Sequence, residues 1–449
     1  MGLGLLGRGI ELVRFLHECG AELLVTDLKS AEELKDALVQ LSDLEGIAYV
    51  LGEHRLSDFS CCDMVIKAAG VPLDSDYIEE ARRKKIPINM DASLFAELVP
   101  EGVKIIGITG TKGKTTVTYL VHSIIQNSLV GRDTKVFLGG NVRGVATLPL
   151  LKDVREGDVV VLELDSWQLQ GFDEAKISPQ ISVFTNFFPD HQNYYKGDMD
   201  AYWHDKASIF RWQKEGDTLI ISPSIAIEME KRVVKSFGWT SIVSKDSVPS
   251  EWTLMMPGEH NRENASMALG VARALNIPDA ISREALEKFK GVSGRLEYLR
   301  TIGGVDIYND GNATVPEATI VALRALSDKT SHGKDRRIIL MMGGTDKGLD
   351  MGALIREIGE KCKAVVLLKE SGSDRIKENL RALPEILFRE EDGLENTLKT
   401  ALSLADTEDI LLFSPAFSSF GKWFKNEYDR NDQFVALVNG LGDEVKCKR

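Results

Sequence analysis

Val103-Lys104-Ile105-Ile106-Gly107-Ile108-Thr109-Gly110-Thr111-Lys112-Gly113-Lys114-Thr115-Thr116 is the stretch that decides the fold. Its first half is a run of β-formers and reads as a buried strand over 103–109. Its second half is a glycine-rich turn, and the following residues to about 126 read as a helix. A strand, a glycine loop and a helix in that order aim backbone N–H groups, and the positive end of the helix dipole, at an anion. Lys114 is placed to reach the β- and γ-phosphates of a nucleotide and the Thr115 hydroxyl to ligate Mg²⁺, with Gly110, Thr111, Gly113 and Thr116 completing the cradle. The pattern G-x-x-x-x-G-K-[ST] is broken at one position, where Ile108 replaces the first glycine.

The same alternation of apolar runs and amphipathic stretches extends in both directions. With 449 residues the chain is too long for one core. An α/β architecture of three domains is expected: a Rossmann-like domain over 1–98, a central P-loop ATPase-type domain over 99–292, and a second Rossmann-like domain over 293–449. The first opens on Gly2-Leu3-Gly4-Leu5-Leu6-Gly7, then a helix to about 17 and a strand over 22–26 ending at Asp27. A glycine turn of this kind normally follows a strand, so a strand ahead of Gly2 is expected and a start upstream of the recorded one is favoured. Further strands read at 64–67, 159–164, 181–186 and 218–222, with helices at 201–212 and 261–275. Beyond the Gly291-Val292-Ser293-Gly294 boundary, strands read at 305–308, 337–342, 364–368 and 409–413, with helices starting near 316, 351 and 397.

Composition narrows the partners. A net charge of −13 argues against nucleic acid or an anionic membrane surface, so phosphorylated ligands must be held by local devices. No apolar run reaches the ~18 residues of a membrane span, and no basic-then-apolar leader opens the sequence. Five scattered cysteines (Cys19, Cys61, Cys62, Cys362, Cys447) fit reduced thiols in a cytoplasmic protein, with the Cys61-Cys62 pair expected as buried small residues.

Acids at the carboxyl ends of parallel strands beside a phosphate loop commonly hold Mg²⁺, which singles out Glu163. Asp190-His191 follows another apolar strand. Lys206 lies fifteen residues further on in an aromatic helix; by residue chemistry alone it reads as a solvated lysine. Trp203, Trp212 and Trp423 read as packing. Gly2, Gly4 and Gly7 with Asp27 resemble a dinucleotide fingerprint, a weak signal alone.

Taken together, these pieces resemble the Mur ligase family. The carriers are Gly110 to Thr116, Glu163-Leu164-Asp165-Ser166-Trp167-Gln168, Asp190-His191 with Lys206, and Gly258-Glu259-His260-Asn261-Arg262-Glu263-Asn264. Further on come Gly294-Arg295, Tyr308-Asn309-Asp310, Ala313-Thr314, Gly343-Gly344-Thr345-Asp346-Lys347 and Ser414-Pro415-Ala416 with Ser419-Phe420. The match spans nearly the whole chain in the right order, and within the family it points to the D-glutamate-adding branch. The resemblance implies an ATP-dependent amide ligase of peptidoglycan precursor synthesis, a cytoplasmic monomer acting on UDP-N-acetylmuramoyl-L-alanine and D-glutamate through an acyl phosphate. It implies two Mg²⁺ ions, one on Thr115 and Glu163, the other on His191 and a carbamylated Lys206. Lys114, Glu163, His191 and Lys206 would be the catalytic set. It places Asn264 near adenine, Arg295 and Asp310 near the ribose and phosphates, Asn141 and Gln168 on the muramoyl side, Asp27 and Lys29 at the uridine end, and Thr314, Lys347 and Ser419 near the glutamate.

The chain departs from that pattern where Gly311-Asn312 replaces Ser-Lys, where Asp165 replaces a small residue, and where Ala68-Ala69-Gly70 replaces Ser-Pro-Gly. The first removes a cation near the substrate carboxylates. The rivals are a family ligase adding another amino acid, L-glutamate included, or a folylpolyglutamate synthase-like ligase. From other classes come a nucleotide-switch regulator and a nicotinamide-dependent oxidoreductase, which leaves the phosphate loop unexplained.

Overall fold

The computed structural model describes residues 1–5, 7–329, 336–419 and 421–442; Leu6, Phe420 and Cys447 of the sequence reading lie outside them. The chain divides into two compact units, residues 1–250 with 264–285, and residues 251–263 with 286–449.

The first unit contains two short parallel pairs, β1 (Leu24–Asp27) with β2 (Ala48–Leu51), and β3 (Val65–Ile66) with β4 (Ile88–Asn89). Residues 1–3 run between them: Gly2 N donates to Thr26 O at 2.8 Å, Met1 N to Ile66 O at 2.9 Å, and Ala68 N to Met1 O at 2.9 Å. Through these bonds Met1 and Gly2 link β1 to β3. Beside them lies a cavity of about 460 Å³ lined by Leu12, Leu16, Val25, Phe59 and Val65 among others. The glycine turn then enters the helix Arg8–Glu18, capped by Gly7 at φ 86°.

The same unit carries a six-stranded, wholly parallel sheet: β5 (Lys104–Thr109), β6 (Val136–Gly140), β7 (Val159–Glu163), β8 (Ile181–Phe184), β9 (Thr218–Ile221) and β10 (Trp239–Ile242). The spatial order is β10-β9-β8-β5-β7-β6. Val159 to Glu163 and Ile181 to Phe184 are buried at every position, as strands covered by helices on both faces must be. The order turns back at β5, which lies between β7 and β8. A crevice at the carboxyl ends of such strands is where α/β sheets bind ligands. The strand expected over 181–186 ends at Phe184, because Thr185 and Asn186 leave the sheet to hold the phosphate loop.

The second unit holds a six-stranded sheet ordered β11-β12-β16-β13-β14-β15, with β11 (Glu297–Ile302), β12 (Val305–Asn309), β13 (Ile338–Met342), β14 (Cys362–Leu368), β15 (Leu387–Glu391) and β16 (Ile410–Phe413). Leu340 and Met342 pack on one face, Ile339 and Met341 on the other, the two-residue period of a strand buried on both sides. β11 is antiparallel to β12 and escapes the sequence reading. It turns through Gly303 and Gly304, both at positive φ (57° and 81°), as a two-residue hairpin whose twist suits the strands requires.

One expectation fails. Cys61 is exposed and Cys62 only partly covered, because both precede β3 in the turn after residues 56–59. Cys362, at the start of β14, is buried.

Candidate active site

The phosphate loop leaves the carboxyl end of β5 at Gly110 (φ 145°) and enters the helix Lys114–Ser128 through Gly113 (φ 84°), which caps it with no side-chain hydrogen bond. Both glycines are required for space as well as conformation. A Cβ on Gly110 would run into Thr185 Oγ1, and one on Gly113 into Asn264 Oδ1.

The loop is fastened to the segment after β8. Thr111 N donates to Asn186 O at 2.9 Å, Lys112 N to Asn186 Oδ1 at 2.8 Å, and Thr185 Oγ1 to Lys112 O at 2.7 Å. Thr111 Oγ1 accepts from Phe188 N at 3.0 Å and lies 3.3 Å from the Tyr202 hydroxyl. Lys112 Nζ pairs with Asp190 at 3.1 Å.

Two lysines converge on this loop. Lys114 Nζ donates to Gly110 O and Thr111 O, each at 3.1 Å. Lys206, buried on the helix Met199–Arg211, also donates to Gly110 O, at 2.8 Å, and lies 5.0 Å from the Tyr202 ring centroid. Burial, reinforced by the neighbouring Lys114 charge, holds its pKa well below that of an ordinary lysine. The sequence-chemistry reading of a solvated lysine is therefore overturned.

Glu163 is buried at the end of β7, paired across the ladder with Ile108 of β5 and Gly140 of β6. Thr115 lies in the first turn of the loop's helix and Thr116 is buried beneath it. His191 adopts a left-handed conformation (φ 51°) with its ring 4.8 Å from that of Trp167. Burial lowers its pKa, and the Lys206 and Lys114 charges act in the same direction against Asp190. Burial pushes the Asp190 carboxyl up, but Lys112 and the His191 N–H outweigh it, so its pKa is lowered.

On the amino-terminal side, Arg8 at the first helix's N-terminus donates to Asn141 Oδ1 at 3.0 Å and to Val142 O at 3.1 Å. Gln168 shares a capping box with Asp165: Gln168 N donates to Asp165 Oδ1 at 2.8 Å, and Asp165 N to Gln168 Oε1 at 3.3 Å. The acid that replaces a small residue is thus a helix cap. Both oxygens of Asp27 accept backbone N–H groups, from Gly4 at 3.0 Å and Lys29 at 2.9 Å, so Asp27 fixes the glycine turn itself.

In the second unit the remaining candidates gather at the carboxyl end of the sheet. Asp310 accepts from Leu296 N (3.1 Å) and the Ser414 hydroxyl (2.8 Å); burial pushes its carboxyl up to about 7 against these groups and Arg295. Arg295 itself is exposed. Lys347 Nζ donates to Thr314 O at 3.4 Å. Thr345 and Ser418 form a two-way bridge that joins the Lys347 loop to the loop of Ser419, whose hydroxyl is buried with no hydrogen-bond partner among the described residues.

Sequence reasoning missed Thr185 and Asn186, read as strand, and Trp167 and Tyr202. Aromatic residues carry a stronger packing signal than a functional one, so only their neighbours in space reveal them.

The comparisons with known proteins assign the family. The description "Mur ligase middle domain" matches residues 108–238, and "Mur ligase, glutamate ligase domain" matches residues 294–417. A UDP-N-acetylmuramoylalanine–D-glutamate ligase of Borreliella burgdorferi (strain ZS7) is 35% identical over 98% of this chain and 97% of its own length. The enzyme of the same name from Roseiflexus sp. (strain RS-1) is 34% identical over 98% of each. The crystal structure of a UDP-N-acetylmuramate–alanine ligase from Thermotoga maritima superposes with a TM-score of 0.58 at 20% identity, over 98% of each chain, and shares the fold. With its phosphate loop, its two converging lysines and full-length relatives above 30% identity, the chain belongs to the Mur ligase family of ATP-dependent, amide-forming ligases.

Proposed function

We propose that this ligase joins D-glutamate to the carboxylate of UDP-N-acetylmuramoyl-L-alanine in the cytoplasm, as a step of peptidoglycan precursor synthesis. The observation that carries the chemistry is the convergence of Lys114 and Lys206 on the Gly110 carbonyl beside the phosphate loop. The choice of substrates rests on the names and coverage of the full-length relatives.

The substrate carboxylate attacks the γ-phosphorus of ATP. An oxygen–phosphorus bond forms to give an acyl phosphate, and the bond to the β-phosphate oxygen breaks to release ADP. The amine of D-glutamate then adds to the acyl carbon, loses a proton, and phosphate leaves. Charge builds on phosphoryl oxygens throughout, so fixed donors lower the barrier most. The N–H groups of Thr115 and Thr116 and the Lys114 ammonium do this from the loop, with Asn264 on the adenine side and Arg295 and Asp310 on the ribose and phosphate side. Asp27, Lys29, Asn141 and Gln168 serve the UDP-sugar, and Thr314, Lys347 and Ser419 the glutamate.

The donor set fits two Mg²⁺ ions, one held by the Thr115 hydroxyl and Glu163, the other by His191 and Lys206. The ions would neutralise phosphoryl charge when bound. Modification of Lys206 fits the chemistry, because the amine is buried and its pKa is held well below that of an ordinary lysine. A buried, proton-poor amine adds CO₂ readily with loss of a proton. The resulting carbamate offers oxygens where an ammonium would repel a cation.

Phosphate release measured with UDP-N-acetylmuramoyl-L-alanine and a panel of amino acids tests the proposal. Turnover should require both the nucleotide-sugar peptide and D-glutamate. ATP hydrolysis indifferent to the amino acid, or a preference for L-glutamate or a basic amino acid, would overturn it.

A further inference from the structure

Among the described residues, the largest fully buried side chain of the second unit is a cation. Arg430, on the helix Glu427–Asn439, is 0% exposed. One terminal nitrogen donates to Phe417 O at 3.1 Å, the other to Gly311 O at 3.0 Å, and its Nε is buried with no partner among the described residues. A Cβ built on Gly344 would lie 3.3 Å from the first of these nitrogens, so the guanidinium also packs against the Gly343-Gly344 turn.

Three loops thus meet on one side chain. The first follows β12 and carries Asp310 and Thr314; the second follows β16 and carries Ser419; the third follows β13 and carries Lys347. Among the described residues no carboxylate forms an ion pair with Arg430; Glu427 and Glu370 act on it only from a distance, and burial lowers its pKa to about 10.

Burying an unpaired charge is costly, and a methionine would fill similar space without that cost. A guanidinium offers two things an apolar residue does not. Its rigid fork ties two carbonyls at a fixed separation. Its charge, in low dielectric, reaches the space the loops enclose with little screening.

One of those carbonyls belongs to Gly311, in the segment where the lysine typical of the family's D-glutamate-adding members is missing. Resting on the D-glutamate reading above, we propose that Arg430 is a positioning residue for the incoming amino acid. It sets the spacing of the three loops and supplies, from beneath Gly311, the positive potential that Asn312 does not. It touches no substrate.

Two substitutions separate this role from plain support of the fold: Arg430→Met keeps volume but not charge, and Arg430→Lys keeps charge but not the fork. Steady-state phosphate release with UDP-N-acetylmuramoyl-L-alanine, varying D-glutamate and ATP separately, is read beside thermal melting. Arg430→Met should raise the KM for D-glutamate roughly tenfold or more, the range expected for losing hydrogen bonds from a charged donor. Arg430→Lys should fall between it and the native protein, and the KM for ATP should shift far less in both. If Arg430→Met does not fold, the same split in Arg430→Lys decides. Equal movement of both KM values, no movement of either, or a lysine variant no better than methionine would overturn the role. A native protein that releases no phosphate with D-glutamate would instead overturn the substrate reading and the positioning role with it. Normal native turnover with unmoved variants would overturn the Arg430 role alone.

Discussion

Lys206 and Lys114 donate to the same oxygen, the Gly110 carbonyl, at 2.8 and 3.1 Å. Two ammonium groups drawn to one acceptor repel each other. The more buried of the two yields, which is why the Lys114 charge adds to burial in lowering the Lys206 pKa.

Lys206→Ala should therefore be inactive, by about a hundredfold or more if it removes a carboxylate-like metal ligand. Added acetate should restore part of the rate by placing oxygens in the vacated space. Lys206→Arg, which stays cationic, should show no such rescue. Full activity of the alanine variant would remove Lys206 from the chemistry.

Thr185→Val tests the fastening of the loop. The substitution keeps the shape but removes the hydroxyl that donates to Lys112 O, leaving a part-buried carbonyl short of one donor. The KM for ATP should rise several-fold, about the worth of one hydrogen bond of ~1 kcal/mol, with the KM for D-glutamate nearly constant. Unchanged ATP kinetics would show that Asn186 alone suffices.

Lys347→Ala should raise the KM for D-glutamate far more than that for ATP, by roughly ten- to a hundredfold if a charge-assisted pair is lost. Among the described residues its Nζ makes a long 3.4 Å contact, to Thr314 O, and its loop is cross-linked to that of Ser419. Substrate titrations in which both KM values rise together would place it elsewhere.

Asp310 predicts a pH dependence of stability. Its folded carboxyl titrates near 7, well above the ordinary value of 3.8. Between these values the folded chain keeps a proton that the unfolded chain has lost. The group's contribution is thus full below about 4 and is lost as pH rises towards 7, amounting to about 4 kcal/mol at most. Asp310→Asn mimics the protonated acid, so relative to the native protein it should be more favourable at pH 8 than at pH 5. Denaturant melts at both pH values decide, and an equal effect at each would mean the acid is ionised in the fold.

What could be read in advance follows from how local each signal is. The strand–loop–helix at 103–126 is contiguous, and its glycines, apolar run and Lys114 announce it without help from the rest of the chain. Glu163 could be read because a strand end is a local event. The two glycines of the β11–β12 turn are just as local, yet the strand before them, Glu297 to Ile302, is half-exposed and lacks a buried run. Lys206 is the opposite case: only the packing of its helix under the loop, 96 residues earlier in sequence, turns a surface-like lysine into a buried one. Arg430 is likewise ordinary in sequence and acquires meaning from the meeting of distant loops.

The hydrogen bonds from Thr111 and Lys112 to Asn186, and from Thr185 to Lys112, hold the phosphate loop through the protein's own groups. The conformational entropy of ordering the cradle is therefore lost once, when the chain folds, and not at each encounter with ATP. Nucleotide meets a mould already set. Its association should follow a single exponential whose rate grows linearly with concentration, with no plateau from a slow isomerisation.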